Sequence, residues 1–152
     1  MALQLNWEIE GVRQISRKLQ TIEDQVKDWR PAFRRATSEL KSIFSNDVFR
    51  TEGRAIRERW KPLKPQYLAQ KRQRGFSGGT LVGTGRMKNS FQTIVKPDMG
   101  VVWNSIFYFR YHQSKAPRRK LPRRVMMKLA NQQRELVVKI FHETFFRKVS
   151  KA

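Results

Sequence analysis

Cysteine is absent from this sequence of 152 residues, which excludes disulfide frameworks and thiolate-ligated metal sites. Small secreted folds commonly depend on disulfides, so a secreted fold is also disfavoured. The chain lacks an apolar run of about 18 residues, the length that a membrane-spanning helix needs. Its first residues, "MALQLNWEIE", lack the basic and apolar regions of a signal peptide. We therefore expect a protein that is made in a cytoplasm and does not associate with a membrane.

Acidic residues are scarce in the middle of the chain. Residues 53–128 contain nineteen Lys and Arg but only Glu58 and Asp98 as acids, so they hold +17 of the total net charge of +21. Residues 1–52 hold +1 and residues 129–152 hold +3. Because the excess is concentrated in half of the chain, we expect one surface to face a polyanion.

Signatures of catalysis are also missing. His112 and His142 are the only histidines, and Asp98 is the only carboxylate between Glu58 and Glu135. A zinc site would need both histidines plus carboxylates, and a nuclease would need clustered acidic ligands. The stretch "LVGTGRMKN" lacks the third glycine and the strand–helix context of a dinucleotide site. The sequence therefore predicts a non-enzyme with no metal and no cofactor.

Hydrophobic periodicity predicts the fold class. Alternation over residues 3–9 predicts a short strand, and three- and four-residue spacings predict helices over 12–26 and, after Pro31, over 33–48. Residues 91–95 and 100–103 are predicted strands joined by a "KPDMG" turn, and 129–146 is a predicted closing helix. We expect one α+β domain over residues 1–152, with an N-terminal strand and two helices, a basic loop-rich middle holding a small antiparallel sheet, and a C-terminal helix.

Two stretches of the basic region are too specific in aromatics, prolines and glycines for an ordinary solvated loop. They are "WKPLKPQYLAQK" (60–71) and "GTGRMKNSF" (83–91). Proline removes backbone freedom and lowers the ordering cost of a docking loop, and Trp, Tyr and Arg are typical of binding hot spots. The loops "QKRQR" (70–74) and "RRKLPRR" (118–124) suit phosphate contacts without base readout. A solvated basic face without a ligand is the simpler alternative.

Four motifs follow one another along the middle of the chain. Their residues are, in turn, Trp60, Leu63, Tyr67 and Lys71; Leu81, Thr84, Gly85, Met87 and Ser90; Tyr108, His112 and Gln113; and Pro122, Arg124 and Met126. In this order they resemble the patterns Trp-x-x-Leu-x-x-x-Tyr-x-x-x-Lys, Leu-x-x-Thr-Gly-x-Leu/Met-x-x-Ser, Tyr-Ala-x-x-His-Gln and Pro-x-Arg-x-Phe/Met-Leu of the phage virion morphogenesis (tail completion) family of Mu-like tailed phages. The resemblance covers about residues 55–130 together with the N-terminal helical layout, with Phe109 and Ser114 departing from the small residue and the glycine usual in the family.

The resemblance implies a structural virion protein of the phage neck or tail, which completes or terminates the tail and helps to join it to the head. Such proteins form rings, commonly six-fold, around the channel through which the genome passes, and they carry no catalytic residues. The expected partners are other copies in a homo-oligomeric ring (a hexamer), other neck and tail proteins, and genomic DNA in the channel. The expected location is the virion, after assembly in the host cytoplasm.

Two sets of residues follow as candidate sites. Residues 60–67 would form a stiff anchored loop, with a short helix after Thr84 beside it, so Trp60→Ala would leave a soluble protein that no longer enters particles. The residues expected to dock partner proteins are Trp60, Pro62, Leu63, Pro65, Tyr67, Thr84, Gly85, Tyr108, His112 and Gln113. The cations expected to face a polyanion are Lys71, Arg72, Arg74, Arg118, Arg119, Lys120, Arg123 and Arg124.

A second function stays open from the sequence alone, namely a sequence-nonspecific nucleic-acid-binding protein outside any virion. Both functions predict retention on polyanions at low salt. Only the first predicts a defined ring and incorporation into virions.

Overall fold

A helical segment from Arg30 to Arg50 lies at the centre of the fold. The computed structural model, which describes residues 10–115 and 120–151, divides this segment into α2 (Arg30–Ser42), a π-helical turn (Ile43–Asp47) and α3 (Val48–Arg50). Pro31 lies in the first turn, where its missing N–H costs no helical hydrogen bond. The predicted helix over 33–48 is confirmed, with the π-helical turn as an addition that periodicity did not indicate.

The first helix, α1 (Glu10–Val26), confirms the predicted helix over 12–26 and is anchored at its C-terminal end. There the ammonium group of Lys148 donates hydrogen bonds to the main-chain carbonyls of Gln25 and Asp28. Nearer the N-terminus, Ile15 and Leu19 are 59% and 60% exposed. The apolar stripe of α1 is therefore largely uncovered by the described part of the chain.

A hairpin of two antiparallel strands packs on α2. The strands are β1 (Phe91–Val95) and β2 (Gly100–Asn104), and their register runs from Phe91 opposite Asn104 to Val95 opposite Gly100. This confirms both predicted strands and the turn between them. Gly100 permits the close approach, because a Cβ there would lie 2.8 Å from side-chain carbons of Phe33 and Thr37.

The last helix, α6 (Asn131–Val149), also packs against α2. Phe141 packs against Trp29 and Phe33, with ring centroids 5.5 and 5.0 Å apart. Phe145 stacks on Trp29 at 6.5 Å, whereas the neighbouring Phe146 is 65% exposed. The two adjacent phenylalanines therefore differ in environment, with Phe145 against Trp29 and Phe146 largely exposed.

Short elements connect these parts around one hydrophobic cluster. They are the 3₁₀ turns Arg54–Ile56 and Lys88–Ser90, α4 (Pro65–Gln73) and α5 (Phe109–Gln113). After Thr84 the helical part is thus limited to Lys88–Ser90. The buried members of the cluster are Phe44, Val48, Phe49, Ile56, Trp60, Met87, Phe91, Phe109, Val125 and Met126.

The α+β class is confirmed by these elements. The strand predicted over residues 3–9 lies outside the described residues. A single domain over the whole chain stays a prediction.

Candidate partner-docking groove

All four sequence motifs meet at one groove of about 830 Å³. The lining residues come from the segment 61–71, Phe76, the turn 81–87, Tyr108 and His112 at the two ends of α5, and the basic segment after it. Those belonging to the motifs are Leu63, Tyr67, Lys71, Leu81, Thr84, Gly85, Met87, Tyr108, His112, Pro122 and Arg124. Seven of the ten expected docking residues line this groove, namely Pro62, Leu63, Tyr67, Thr84, Gly85, Tyr108 and His112.

Trp60 lies in the core and not among the lining residues. Its side chain is 3% exposed, its Nε1–H donates to the carbonyl of Val125 at 2.7 Å, and its ring meets Phe49 edge-on at 5.4 Å. Gly53 leaves room for the ring, because a Cβ there would lie 2.7 Å from it. Trp60 thus ties the segment 61–64 to residues 122–126 from within, and in this fold it offers no surface to a partner.

Lys71 holds one end of the groove together. Its side chain is buried, and its ammonium group donates to the carbonyls of Gly78 and Gly79 at 2.6 and 2.5 Å. Burial lowers the pKa of Lys71, opposed by the nearby charge of Glu52. This placement departs from the expectation that Lys71 faces a polyanion, because the main chain of the loop after α4 already engages its donors.

Arg124 joins two walls of the groove. Its guanidinium donates through Nε and Nη2 to the carbonyl of Lys61 at 3.1 and 2.9 Å, and its main-chain N–H donates to the carbonyl of His112 at 3.1 Å. Burial lowers the pKa of Arg124, opposed by the charge of Glu52. Arg124 is only 4% exposed, so it too departs from the polyanion-facing role expected for it.

Glu52 supplies negative charge behind the groove. Its carboxylate accepts hydrogen bonds from the Thr80 hydroxyl at 2.6 Å and from the Thr80 N–H at 3.3 Å. The hydroxyl bond is the main reason that the pKa of Glu52 is lowered, and the charges of Arg54 and Arg124 add to it. Glu52 thereby joins the end of the central helical segment to the turn that precedes Thr84.

Gln113 acts as a bridge between α5 and the segment before α6. Its Oε1 accepts from the N–H groups of Met126 and Met127 at 2.9 and 3.1 Å, and its Nε2 donates to the carbonyl of Met127 at 2.6 Å. One amide thus satisfies three main-chain groups, which gives Gln113 a positioning role beneath the groove rather than a place in its lining.

The turn at Thr84 and Gly85 forms another wall. Gly85 adopts a left-handed φ of +76°, which favours glycine. Its carbonyl accepts from the N–H of Asn89 at 2.9 Å. Asn104 of β2 donates to the carbonyl of Met87 at 2.8 Å and so fastens this wall to the sheet.

Four exposed cations surround the groove, and these are Lys61, Lys64, Arg86 and Lys120. None of them takes part in an ion pair between described residues. Among the described lining residues there is also no carboxylate. The groove therefore combines apolar walls with positive charge that the described part of the chain leaves unpaired.

The other expected cations lie elsewhere. Arg72, Arg74 and Arg123 are exposed and do not line the groove. Arg123 donates through Nε to the carbonyl of Gln113 at 3.2 Å. Pro65 is exposed at the start of α4, and Arg118 and Arg119 lie outside the described residues.

Sequence reasoning missed three of the four groove cations, Lys61, Lys64 and Arg86. The signal for the first two was present, since both lie inside the "WKPLKP" stretch itself. No sequence signal marks Glu52, because its partner Thr80 is 28 positions away.

The described residues offer little further chemistry. They contain no group of three or more His, Asp or Glu residues placed to hold a metal ion. None of their helices has the length and apolar character that a bilayer crossing requires.

Comparison with protein-family models matches residues 10–145 to the phage virion morphogenesis family. The match covers most of the chain, including all four motifs and the groove that they form. Neither the comparison with curated proteins nor that with solved structures finds a match.

Proposed function

The chain belongs to the phage virion morphogenesis family, and from that membership we propose that it is a structural protein of the phage neck or tail. Family membership itself indicates a role in virion assembly and a virion-associated protein. In this role the protein completes or terminates the tail, helps to join it to the head, and does so without catalysis. A place in tailed phages of the Mu type is part of the same proposal.

The convergence of the four motifs on one groove carries the proposal. A groove built from remote segments and fixed by Trp60, Arg124 and Gln113 needs little reordering when a partner binds. The four exposed cations around it give that partner a charge to recognise. These are the properties of a docking module for assembly.

Apolar surfaces that the described residues leave largely exposed, on two different helices, support a ring. One is the stripe of α1 with Ile15 and Leu19, and the other lies on α6 around Val138 and Phe146, which are 52% and 65% exposed. A closed ring needs two unlike surfaces on each subunit that fit one another. We propose that these two surfaces meet between neighbouring copies and that the ring is a hexamer.

The basic middle region supports a position beside DNA. Six copies of a region with net charge +17 would surround a channel with a strong positive field. Arg72, Arg74 and Arg123 are exposed and do not line the groove, so they are available to phosphates. We propose that they face the genome as it passes.

The ring is tested by substitution on α1. Leu19→Asp places a charge in the proposed subunit contact, whereas Gln20→Asp places the same charge on the adjacent, exposed position. Light scattering after gel filtration should give about six times the mass of one chain for the wild type and for Gln20→Asp, and about one chain mass for Leu19→Asp. A monomeric wild type, or equal behaviour of the two variants, would contradict the ring.

The location is tested on purified phage particles. Mass spectrometry of their proteins should detect the chain, and electron microscopy of particles lacking it should show tails that are unfinished or separated from heads. A chain that is missing from particles but bound to nucleic acid in the host would favour the alternative, a nucleic-acid-binding protein outside the virion.

A further inference from the structure

We propose that the groove binds an acidic segment of another virion protein in which carboxylate side chains alternate with apolar ones. This inference rests on the proposed function only for the identity of the partner as a virion protein. The chemistry of the segment follows from the groove itself.

The walls of the groove are apolar and aromatic over a large part of their surface. The residues that contribute this surface are Pro62, Leu63, Tyr67, Leu81, Val82 and Leu121. Tyr67 and Leu121 are 54% and 38% exposed, so covering them with a partner removes apolar surface from water. A volume of about 830 Å³ is enough for several side chains of a bound segment.

The charges around these walls are positive and lie at the ends of long side chains. Lys61, Lys64, Arg86 and Lys120 are exposed, and no described carboxylate lines the groove. The two buried cations, Lys71 and Arg124, are occupied with main-chain carbonyls. The four exposed cations are therefore the ones that would pair with carboxylates of a partner.

A DNA backbone fits this combination less well than a protein segment does. Phosphate and sugar contacts use charged and polar donors, so a bound strand would set hydrated phosphates against the apolar walls without covering them. A segment with alternating acidic and apolar side chains satisfies both features at once. Arg72 and Arg74 lie outside the groove and provide the comparison that separates the two ligands.

The test measures fluorescence anisotropy with the full-length protein and a fluorescein-labelled peptide in which Asp alternates with Leu and Phe. Three further probes carry the same label: a peptide with Asn for each Asp, a peptide with Ser for each Leu and Phe, and a DNA duplex. We expect the first peptide to bind at least about tenfold more tightly than either altered peptide. Its affinity should also fall less with salt than that of the duplex, for which we expect a loss of about a thousandfold between 50 and 200 mM.

Two pairs of matched variants locate the binding. Lys61→Glu/Lys64→Glu reverses two groove cations, and Arg72→Glu/Arg74→Glu reverses two exposed cations outside the groove. The first should weaken peptide binding about tenfold or more, and the second by about twofold. Leu121→Ser should weaken it severalfold, whereas Leu129→Ser, at a similarly exposed position outside the groove, should leave it unchanged.

Three outcomes would overturn the inference. The two charge-reversed variants could lose the same affinity for the peptide, which would indicate general attraction of polyanions. The peptide with Ser for Leu and Phe could bind equally well, which would remove the apolar role. The groove variant could lose affinity for the duplex alone, which would make the groove a nucleic-acid site. Each outcome leaves the ring and virion tests unaffected, so the two proposals fail separately.

Discussion

Replacing Trp60 by Ala removes the side chain that joins the two walls of the groove to the core. The indole is 3% exposed, meets the Phe49 ring edge-on, and donates its N–H to the carbonyl of Val125 at 2.7 Å. The carbonyl of Val125 would lose this donor. The perturbation therefore acts on packing and hydrogen bonding together.

The expected magnitude follows from these two losses. Truncating a buried aromatic to Ala costs about 3–5 kcal/mol, and leaving a buried acceptor unsatisfied costs about 1–3 kcal/mol. Because the two costs overlap, we expect the free energy of unfolding to fall by about 5 kcal/mol for Trp60→Ala. Trp60→Phe keeps an aromatic ring and loses the hydrogen bond, so about 2 kcal/mol is expected. The sequence alone predicted a soluble Trp60→Ala protein that fails to enter particles, whereas the structure predicts that the substitution acts first on the stability of the fold.

Urea unfolding followed by circular dichroism measures these changes, since it does not depend on tryptophan emission. Trp103→Ala is the matched control, because Trp103 is 39% exposed on β2 and its loss should cost no more than about 1 kcal/mol. The reasoning is refuted if Trp60→Ala stays within about 1 kcal/mol of the wild type, or if Trp60→Ala and Trp103→Ala lose equal stability.

Two further predictions concern Gly53, which packs against Trp60, and Thr80, which donates to Glu52. Gly53→Ala should lower the free energy of unfolding by more than about 3 kcal/mol in urea unfolding, because a Cβ there would lie 1.8 Å from the carbonyl oxygen of Glu58. Gly75→Ala, with a similar left-handed φ of +75° and no atom within 4 Å of the Cβ, should cost about 1 kcal/mol, and equal losses would contradict the steric argument. Thr80→Val should lower stability at neutral pH by about 1–3 kcal/mol, because it removes the hydroxyl that holds the pKa of Glu52 below its ordinary value. The hydrogen bond to ionised Glu52 contributes stability above the ordinary pKa of the carboxyl group, and this contribution is lost as the pH falls through the lowered pKa of the folded protein. The urea midpoints of the wild type and Thr80→Val should therefore converge in acid. A difference that stays constant with pH would contradict the role of Glu52 ionisation.

The main elements could be predicted because their signals are local. Three- and four-residue spacing marked α1, and Pro31 marked the start of the central helical segment. Alternation and the "KPDMG" turn marked β1 and β2. Each of these patterns depends on residues a few positions apart, so the chain itself carries the information. The π-helical turn at Ile43–Asp47 left no such pattern and was missed.

The roles of individual site residues could not be predicted in the same way. Trp60, Lys71 and Arg124 are residue types that are typical of docking or charged surfaces. In the structure, however, their polar groups donate to the carbonyls of Val125, Gly78, Gly79 and Lys61. Because every residue has a main-chain carbonyl, the residue types in the sequence do not indicate which carbonyl will accept the hydrogen bond. Burial of these cations is therefore visible only in the structure.

The sequence by itself determined the helical and strand segments, the charge imbalance and the order of the family motifs, because periodicity, composition and spacing are properties of the chain. The tertiary structure decided that the motifs share one groove, and that Lys61 and Lys64 stay exposed there while Lys71 and Arg124 are buried. Contacts between segments as far apart as residues 61 and 124 arise when the core closes, and the energy of that closure is spread over many side chains rather than encoded in a short stretch.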